Sequence, residues 1–105
     1  VSVSTHVLDA VAGRPAAGIA VRLLAGDSLL AEGVTDDDGR CRLTEEATAA
    51  GPHRLVFATG AWFTARGTTA FWPEVTLTFT VDEPAAHHHV PLLLSPFAYS
   101  TYRGS

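Results

Sequence analysis

The stretch Glu74-Val75-Thr76-Leu77-Thr78-Phe79-Thr80-Val81-Asp82 alternates apolar and polar residues without a break. Successive side chains of a strand point to opposite faces, so Val75, Leu77, Phe79 and Val81 share one face and the threonines the other. That is the pattern of an antiparallel strand with one face in a core and one toward water. Such a face needs a second layer to cover it. Working outward, Ile19, Val21, Leu23 and Ala25 alternate with Ala20, Arg22 and Leu24, and Leu55 and Phe57 alternate with Arg54, Val56 and Ala58. Turn signals fall between the runs at Gly13-Arg14-Pro15, Gly26-Asp27-Ser28, Asp36-Asp37-Asp38-Gly39 and Gly51-Pro52. Seven or eight short strands separated by turns predict an all-β sandwich. One short helix is predicted, capped by Thr59, running through Trp62 and Phe63 and ended by Gly67. Thr44-Glu45-Glu46-Ala47 is a weaker helical or turn candidate.

The chain has 105 residues, 47% hydrophobic and 17% charged, a composition that excludes intrinsic disorder and fits a single domain over residues 1–105. It shows no internal repeat or linker. No apolar run approaches the ~20 residues that span a bilayer, so no membrane partner is expected. Seven arginines, with no lysine, face eleven acidic residues for a net charge of -4. Nucleic acid is therefore not an expected partner, because phosphate binding needs a basic face. Cys41 is the one cysteine, so an intrachain disulfide and a cysteine-based zinc site are both excluded. No basic-then-apolar segment opens the chain, and the expected compartment is the cytoplasm, with periplasm and peroxisome as the open alternatives.

The segment His87-His88-His89-Val90-Pro91-Leu92-Leu93-Leu94-Ser95 is the most informative for chemistry. As a strand it puts His88, Val90, Leu92 and Leu94 on the core face. His87, His89, Pro91, Leu93 and Ser95 then share the outer face. A proline and a leucine beside histidines on an outer face predict that this face is covered too, by another subunit in a chain this small. A metal reading of the histidines is weak. Only His87 and His89 point the same way, and zinc takes three or four protein ligands. His6 or a remote aspartate would have to complete the set.

Other candidates have simpler readings. Glycine directly after Asp36-Asp37-Asp38 fits a tight turn better than a calcium loop, which spaces its carboxylates at alternate positions. Cys41 has basic neighbours in Arg40 and Arg42 that would favour a thiolate. A lone strand cysteine is nevertheless more often a small buried hydrophobe. No GxSxG elbow marks an activated serine. Trp62, Phe63, Phe71, Trp72 and Phe97 read as core and interface packing, with a carbohydrate platform as the lesser alternative.

Several stretches together carry a resemblance. Ser4-Thr5-His6-Val7-Leu8-Asp9, Gly13-Arg14-Pro15-Ala16, Asp38-Gly39-Arg40, His89-Val90-Pro91-Leu92-Leu93-Leu94-Ser95-Pro96 and the terminal Tyr99-Ser100-Thr101-Tyr102-Arg103-Gly104-Ser105 resemble the 5-hydroxyisourate hydrolases, the enzymatic branch of the transthyretin-like family. The similarity runs in order from about Val3 to the last residue, and the terminal Tyr-Arg-Gly-Ser is its most specific part. The resemblance implies a transthyretin-like β-sandwich assembled as a homotetramer, with active sites in a channel between dimers. It implies hydrolysis of the small-molecule substrate 5-hydroxyisourate to 2-oxo-4-hydroxy-4-carboxy-5-ureidoimidazoline in urate degradation, with no cofactor and no metal.

Carried onto this sequence, the catalytic residues are His6, Arg40, His89 and Ser105. Substrate binding falls on Arg40, Tyr102, Arg103 and Gly104. Opening a cyclic amide needs a base for water, a proton for the leaving nitrogen and stabilisation of an oxyanion. Two imidazoles and a guanidinium fork supply those groups. Either histidine can be the first base on this reading. The chain departs from the family's His-Tyr-His pattern at His88, which points away from His89. It also has Asp36-Asp37 where asparagine is common.

Two other functions compete. A transthyretin-like carrier would hold an aromatic small molecule in the channel; such carriers lack the combination of His6, Arg40, His89 and the tetrapeptide. A β-sandwich adhesion or sugar module would be monomeric or lack the channel.

Overall fold

A computed structural model describes residues 2–44 and 49–105. The predicted sandwich is present. The first sheet contains β1 (Val3–Asp9), β2 (Arg14–Pro15), β5 (Arg40–Thr44), β8 (His88–Leu94) and β9 (Tyr99–Thr101). The second contains β3 (Ala20–Ala25), β4 (Ser28–Val34), β6 (Gly51–Phe57) and β7 (Val75–Val81). The second sheet runs β4-β3-β6-β7 with antiparallel neighbours throughout. In the first, β8 lies between β1 and β9 and is parallel to β1. The other edge of β1 is shared, with β5 along Val3–His6 and β2 along Leu8–Asp9.

Among the described residues there are nine strands rather than seven or eight, and the difference lies in short pieces. Gly13-Arg14-Pro15, read as a turn, contributes the two-residue β2 against Leu8 and Asp9. Gly51-Pro52, also read as a turn, instead opens β6, paired with Val81 and Thr80. Pro52 is tolerated there because β3 reaches only as far as Arg54, leaving one neighbour strand at that point. Strand β4 carries little alternation because it is an edge strand with most side chains exposed.

The alternating runs form the core as predicted. Val75 and Leu77 of β7 meet Val21, Leu23, Leu55 and Phe57 and, from the other sheet, Val3, Val7, Leu92 and Leu94, all buried. Burying one such leucine or valine is worth about 1.5–3 kcal/mol. Trp62 and Phe63 close one end of this core from helix α1 (Thr59–Ala65). The Trp62 indole N–H donates to the Ala17 carbonyl at 2.7 Å. Thr59 is not the cap: Ala58 holds that position, and the Thr59 hydroxyl is buried with no partner among the described residues. Gly67, at φ +68°, follows the helix as predicted. The candidate turn or helix at Glu45-Glu46-Ala47 lies outside the described residues. No helix among them is long and apolar enough to cross a membrane.

Candidate active site

Three neighbouring strands and the chain's end bring the predicted polar residues onto the outer face of the first sheet. On β1, Ser4 and His6 are two residues apart and share that face. In register, His6 stands opposite Arg40 of β5 and Pro91 of β8, while Ser4 stands opposite Arg42 and His89. His6 and His89 are thus diagonal neighbours, and Arg40 flanks His6 from the other side.

The position of Arg40 is set by the turn before it. Asp36 Oδ1 accepts from the backbone N–H of Asp38 and of Arg40, each at 2.9 Å. Gly39 donates to the Asp36 carbonyl at 2.8 Å and adopts φ +76°. A β-carbon on Gly39 would stand 2.3 Å from the Val7 carbonyl oxygen, so glycine is required there. The acidic run is therefore the tight turn expected, and it starts β5 with Arg40 opposite His6. Cys41, the next residue, points inward and is buried. Burial, then the charge of Asp36, pushes its thiol upward. The basic sequence neighbours do not produce a thiolate, because their side chains point to the opposite face.

Strand β8 divides as the alternation requires. His88, Val90, Leu92 and Leu94 are buried in the sandwich, and His89 is half-buried on the outer face. Pro91 is also buried, and part of its cover is this chain's own C-terminus rather than another subunit. β9 pairs with Leu92–Leu94. The pairing then skips Pro91, which has no N–H, and one bond resumes it in the same register: Gly104 N–H donates to the His89 carbonyl at 2.8 Å. Thr101 Oγ1 donates to the Pro91 carbonyl at 2.6 Å. The tail is thereby docked beside His89.

Around His89 the polar groups are linked. Ser4 Oγ lies 2.8 Å from His89 Nδ1 and 3.1 Å from His87 Nε2, and Ser2 Oγ contacts His87 Nδ1. The His87 and His89 rings stack with centroids 6.1 Å apart and planes 16° apart. Burial lowers the His89 pKa, assisted by the charges of His87, Arg40 and His6, while the Ser4 main chain opposes the shift.

The remaining tail residues face elsewhere. Arg103 Nη1 donates to Asp82 Oδ2 at 3.3 Å, and Asp82 Oδ1 lies 3.1 Å from Nε2 of the buried His88. Tyr102 and Arg103 line a cavity of about 420 Å³ with Phe79, Asp82, His88 and His89, along the open edge between β7 and β9. Ser105 is exposed at the end of the tail. The single chain thus gathers His6, Arg40, His89 and Gly104 on one face and turns Tyr102 and Arg103 toward the adjoining edge. Ser4 and Asp82 were not among the predicted site residues, and His87 was weighed only as a metal ligand on the outer face. Ser4 lies on the same alternation as His6, which is the signal that could have found it. Among the described residues, no three His, Cys, Asp or Glu side chains are grouped so as to hold a metal ion.

The comparisons with known proteins agree on one family. The HIUase/Transthyretin family profile matches residues 3–104. A 5-hydroxyisourate hydrolase of Caulobacter vibrioides is 47% identical over 111 residues, covering 97% of this chain and 96% of that protein. The structure of Klebsiella pneumoniae 5-hydroxyisourate hydrolase superposes with a TM-score of 0.93 at 36% identity, covering 100% of both chains. Sea bream transthyretin in complex with thyroxine superposes with a TM-score of 0.87 at 34% identity, covering 97% of this chain and 93% of that one. With a profile match over nearly its whole length and a relative at 47% identity, this chain belongs to the HIUase/Transthyretin family.

Proposed function

We infer that this protein is a hydrolase that opens the ring of 5-hydroxyisourate, giving 2-oxo-4-hydroxy-4-carboxy-5-ureidoimidazoline in urate degradation. The observation that carries this reading is the convergence of His6, Arg40 and His89 on one sheet face, with Gly104 docked against His89. Similarity to the hydrolases of Caulobacter and Klebsiella supplies the substrate.

The residues suit metal-independent acid–base chemistry. A neutral imidazole takes a proton from water as its oxygen bonds to the ring carbonyl carbon. The oxyanion formed is stabilised by the Arg40 guanidinium. The carbon–nitrogen bond then breaks, and the leaving nitrogen takes a proton from the second imidazole. His89 suits the base, since its surroundings favour the neutral ring. His6, diagonal to it, suits the acid. Ser105, Tyr102 and Arg103 complete the pocket in this reading.

The assembly proposed is a homotetramer with the active sites in a channel between dimers. Its support is the surface of the single chain. The sheets end on the open edges of β7 and β9, and Phe71, Phe97 and Tyr102 are largely exposed near the β9 end. Large apolar side chains left exposed in this way fit a surface that another subunit covers.

Carriage of an aromatic ligand is the competing reading, favoured by the likeness to thyroxine-bound sea bream transthyretin. Turnover separates the two. The purified protein should accelerate loss of the 5-hydroxyisourate absorbance over its spontaneous decay. A rate equal to the spontaneous one at micromolar protein would overturn the hydrolase reading.

A further inference from the structure

Four side chains on the outer face form a continuous hydrogen-bonded row: Ser2, His87, Ser4 and His89. The acid–base chemistry proposed above uses only the last of them. The row can run in either of two polarities, and a base at His89 selects one of them. A neutral imidazole has one N–H donor and one bare nitrogen acceptor, whereas a hydroxyl can donate one bond and accept others. The Ser4 hydroxyl engages one nitrogen of the His89 ring, and a base must keep the other nitrogen bare. The His89 nitrogen beside Ser4 is Nδ1, 2.8 Å from Oγ. With Nδ1–H donating there, Ser4 O–H is free to donate to His87 Nε2 at 3.1 Å, and His87 Nδ1–H to Ser2 Oγ. Every group in the row then has a suitable partner. The opposite polarity would put the ring proton on Nε2 and leave no bare nitrogen for water, because Nδ1 would accept from Ser4.

We infer that Ser4 and His87 are positioning residues for His89: together they hold it as the Nδ1–H tautomer and leave Nε2 bare as the base. The stack with His87 restrains the ring plane as well. When Nε2 takes the proton of water, the Nδ1 proton can pass to Ser4 Oγ while the Ser4 proton passes to His87 Nε2. No bond other than O–H and N–H changes, and the charge moves to His87, which is exposed to solvent. The charged and titratable groups facing His89 are His6 from β1, Arg40 from β5 and His87 preceding β8. None of them is a carboxylate that could serve Nδ1 in place of Ser4.

This inference rests on the hydrolase reading, in which His89 is the base, and its test has one kinetic and one structural readout. Nitrogen NMR of the wild-type protein should show His89 with a protonated Nδ1 and a bare Nε2. Ser4→Ala should abolish that preference and lower kcat about 10-fold or more, part of the ~10²–10⁴-fold a general base contributes. KM should be unchanged. Ser4→Thr, which keeps the hydroxyl, should restore both. His87→Phe keeps a stacking ring without the Nε2 acceptor and should reproduce the kcat loss. A wild-type His89 protonated at Nε2, or a Ser4→Ala variant with wild-type kcat and tautomer, overturns the inference. If the wild-type protein does not accelerate substrate decay, the hydrolase reading fails, and the tautomer measurement still decides the positioning role.

Discussion

Gly104 lies directly against His89. Its N–H donates to the His89 carbonyl at 2.8 Å, and a β-carbon at position 104 would stand 2.5 Å from Cδ2 and 3.2 Å from Cγ of the His89 ring. The same β-carbon would meet Pro91 Cγ at 3.2 Å. The glycine thus lets the tail close on a histidine ring that must keep a fixed orientation. Either the ring or the tail must shift to admit a methyl group. Gly104→Ala should lower kcat/KM by up to about 10²-fold, the cost of an ångström-scale misplacement in an active site. Gly104 makes no core contacts, so the thermal melt should stay within about 0.5 kcal/mol of wild type. Steady-state hydrolysis beside a melt checks both; wild-type turnover in Gly104→Ala would show that the contact has no catalytic consequence.

Arg103 is held by Asp82, and Asp82 in turn by His88. Hydrogen bonds from His88 first and Arg103 second, with the Arg103 charge, lower the Asp82 carboxyl from 3.8 to about 2. A carboxyl depressed on folding contributes to the folded state above its unfolded pKa and loses that contribution as pH falls through its folded pKa. The Asp82–Arg103 tether should therefore be intact above pH 3.8 and release only as pH falls toward 2. Carbon NMR titration of the Asp82 carboxyl should show a midpoint well below 3.8. Arg103→Ala should raise it only partway, because the larger His88 bond remains. A midpoint at the ordinary value would show that the tail is not tethered there.

Much of this was legible in the chain because alternation reports burial. The run through Val75–Val81, the core face of His88–Leu94 and the outer placement of His89 follow from a period of two alone. The Asp-Gly turn before Arg40 follows from glycine's access to positive φ. Alternation does not report register. That His6 lies opposite Arg40, and Ser4 opposite His89, depends on which strands pair and at what offset, and only the resemblance suggested their meeting. The Asp82–His88–Arg103 link was invisible for a similar reason: it joins the end of one strand, the core face of another and the tail. Thr59 was misplaced as a cap because helix boundaries are weakly encoded, and a buried threonine at the first helical position has the same local sequence as a cap.

The proposed mechanism uses Arg40 through its planar fork. It is exposed, its backbone is fixed by Asp36, and its side chain is on the face opposite the buried Cys41. Arg40→Lys should lower kcat/KM by about 10²–10³-fold, as loss of a charge-stabilising donor does, because an ammonium cannot reproduce two parallel donors. His6→Ala and His89→Ala should each cost ~10²–10⁴-fold. As the two act as a unit, the double variant should be little worse than the poorer single one. Melts of all four should remain cooperative. Near-wild-type turnover in any single variant removes that residue from the mechanism.

The environment of His89 sets a pH dependence with a definite sign. Burial comes first, then His87, Arg40 and His6, and together they lower its pKa below 6.5. At a pH between the folded and unfolded values, the unfolded chain binds a proton at His89 that the folded chain does not. Stability therefore rises with pH through that window. The contribution is full above 6.5 and is lost as pH falls through the depressed folded value. The same displacement keeps the base form available below the ordinary range of imidazole, so the acid limb of kcat/KM should lie below pH 6.5. Proton NMR titration of the His89 ring should give a matching midpoint. In Arg40→Gln, which removes one of these positive charges, that midpoint should move upward without returning to 6.5, because burial and His87 remain. A wild-type His89 titrating at or above 6.5 would show that the ring is more solvated in solution than its packing on β1 and the tail requires, and the assignment of His89 as the base would lose its electrostatic support.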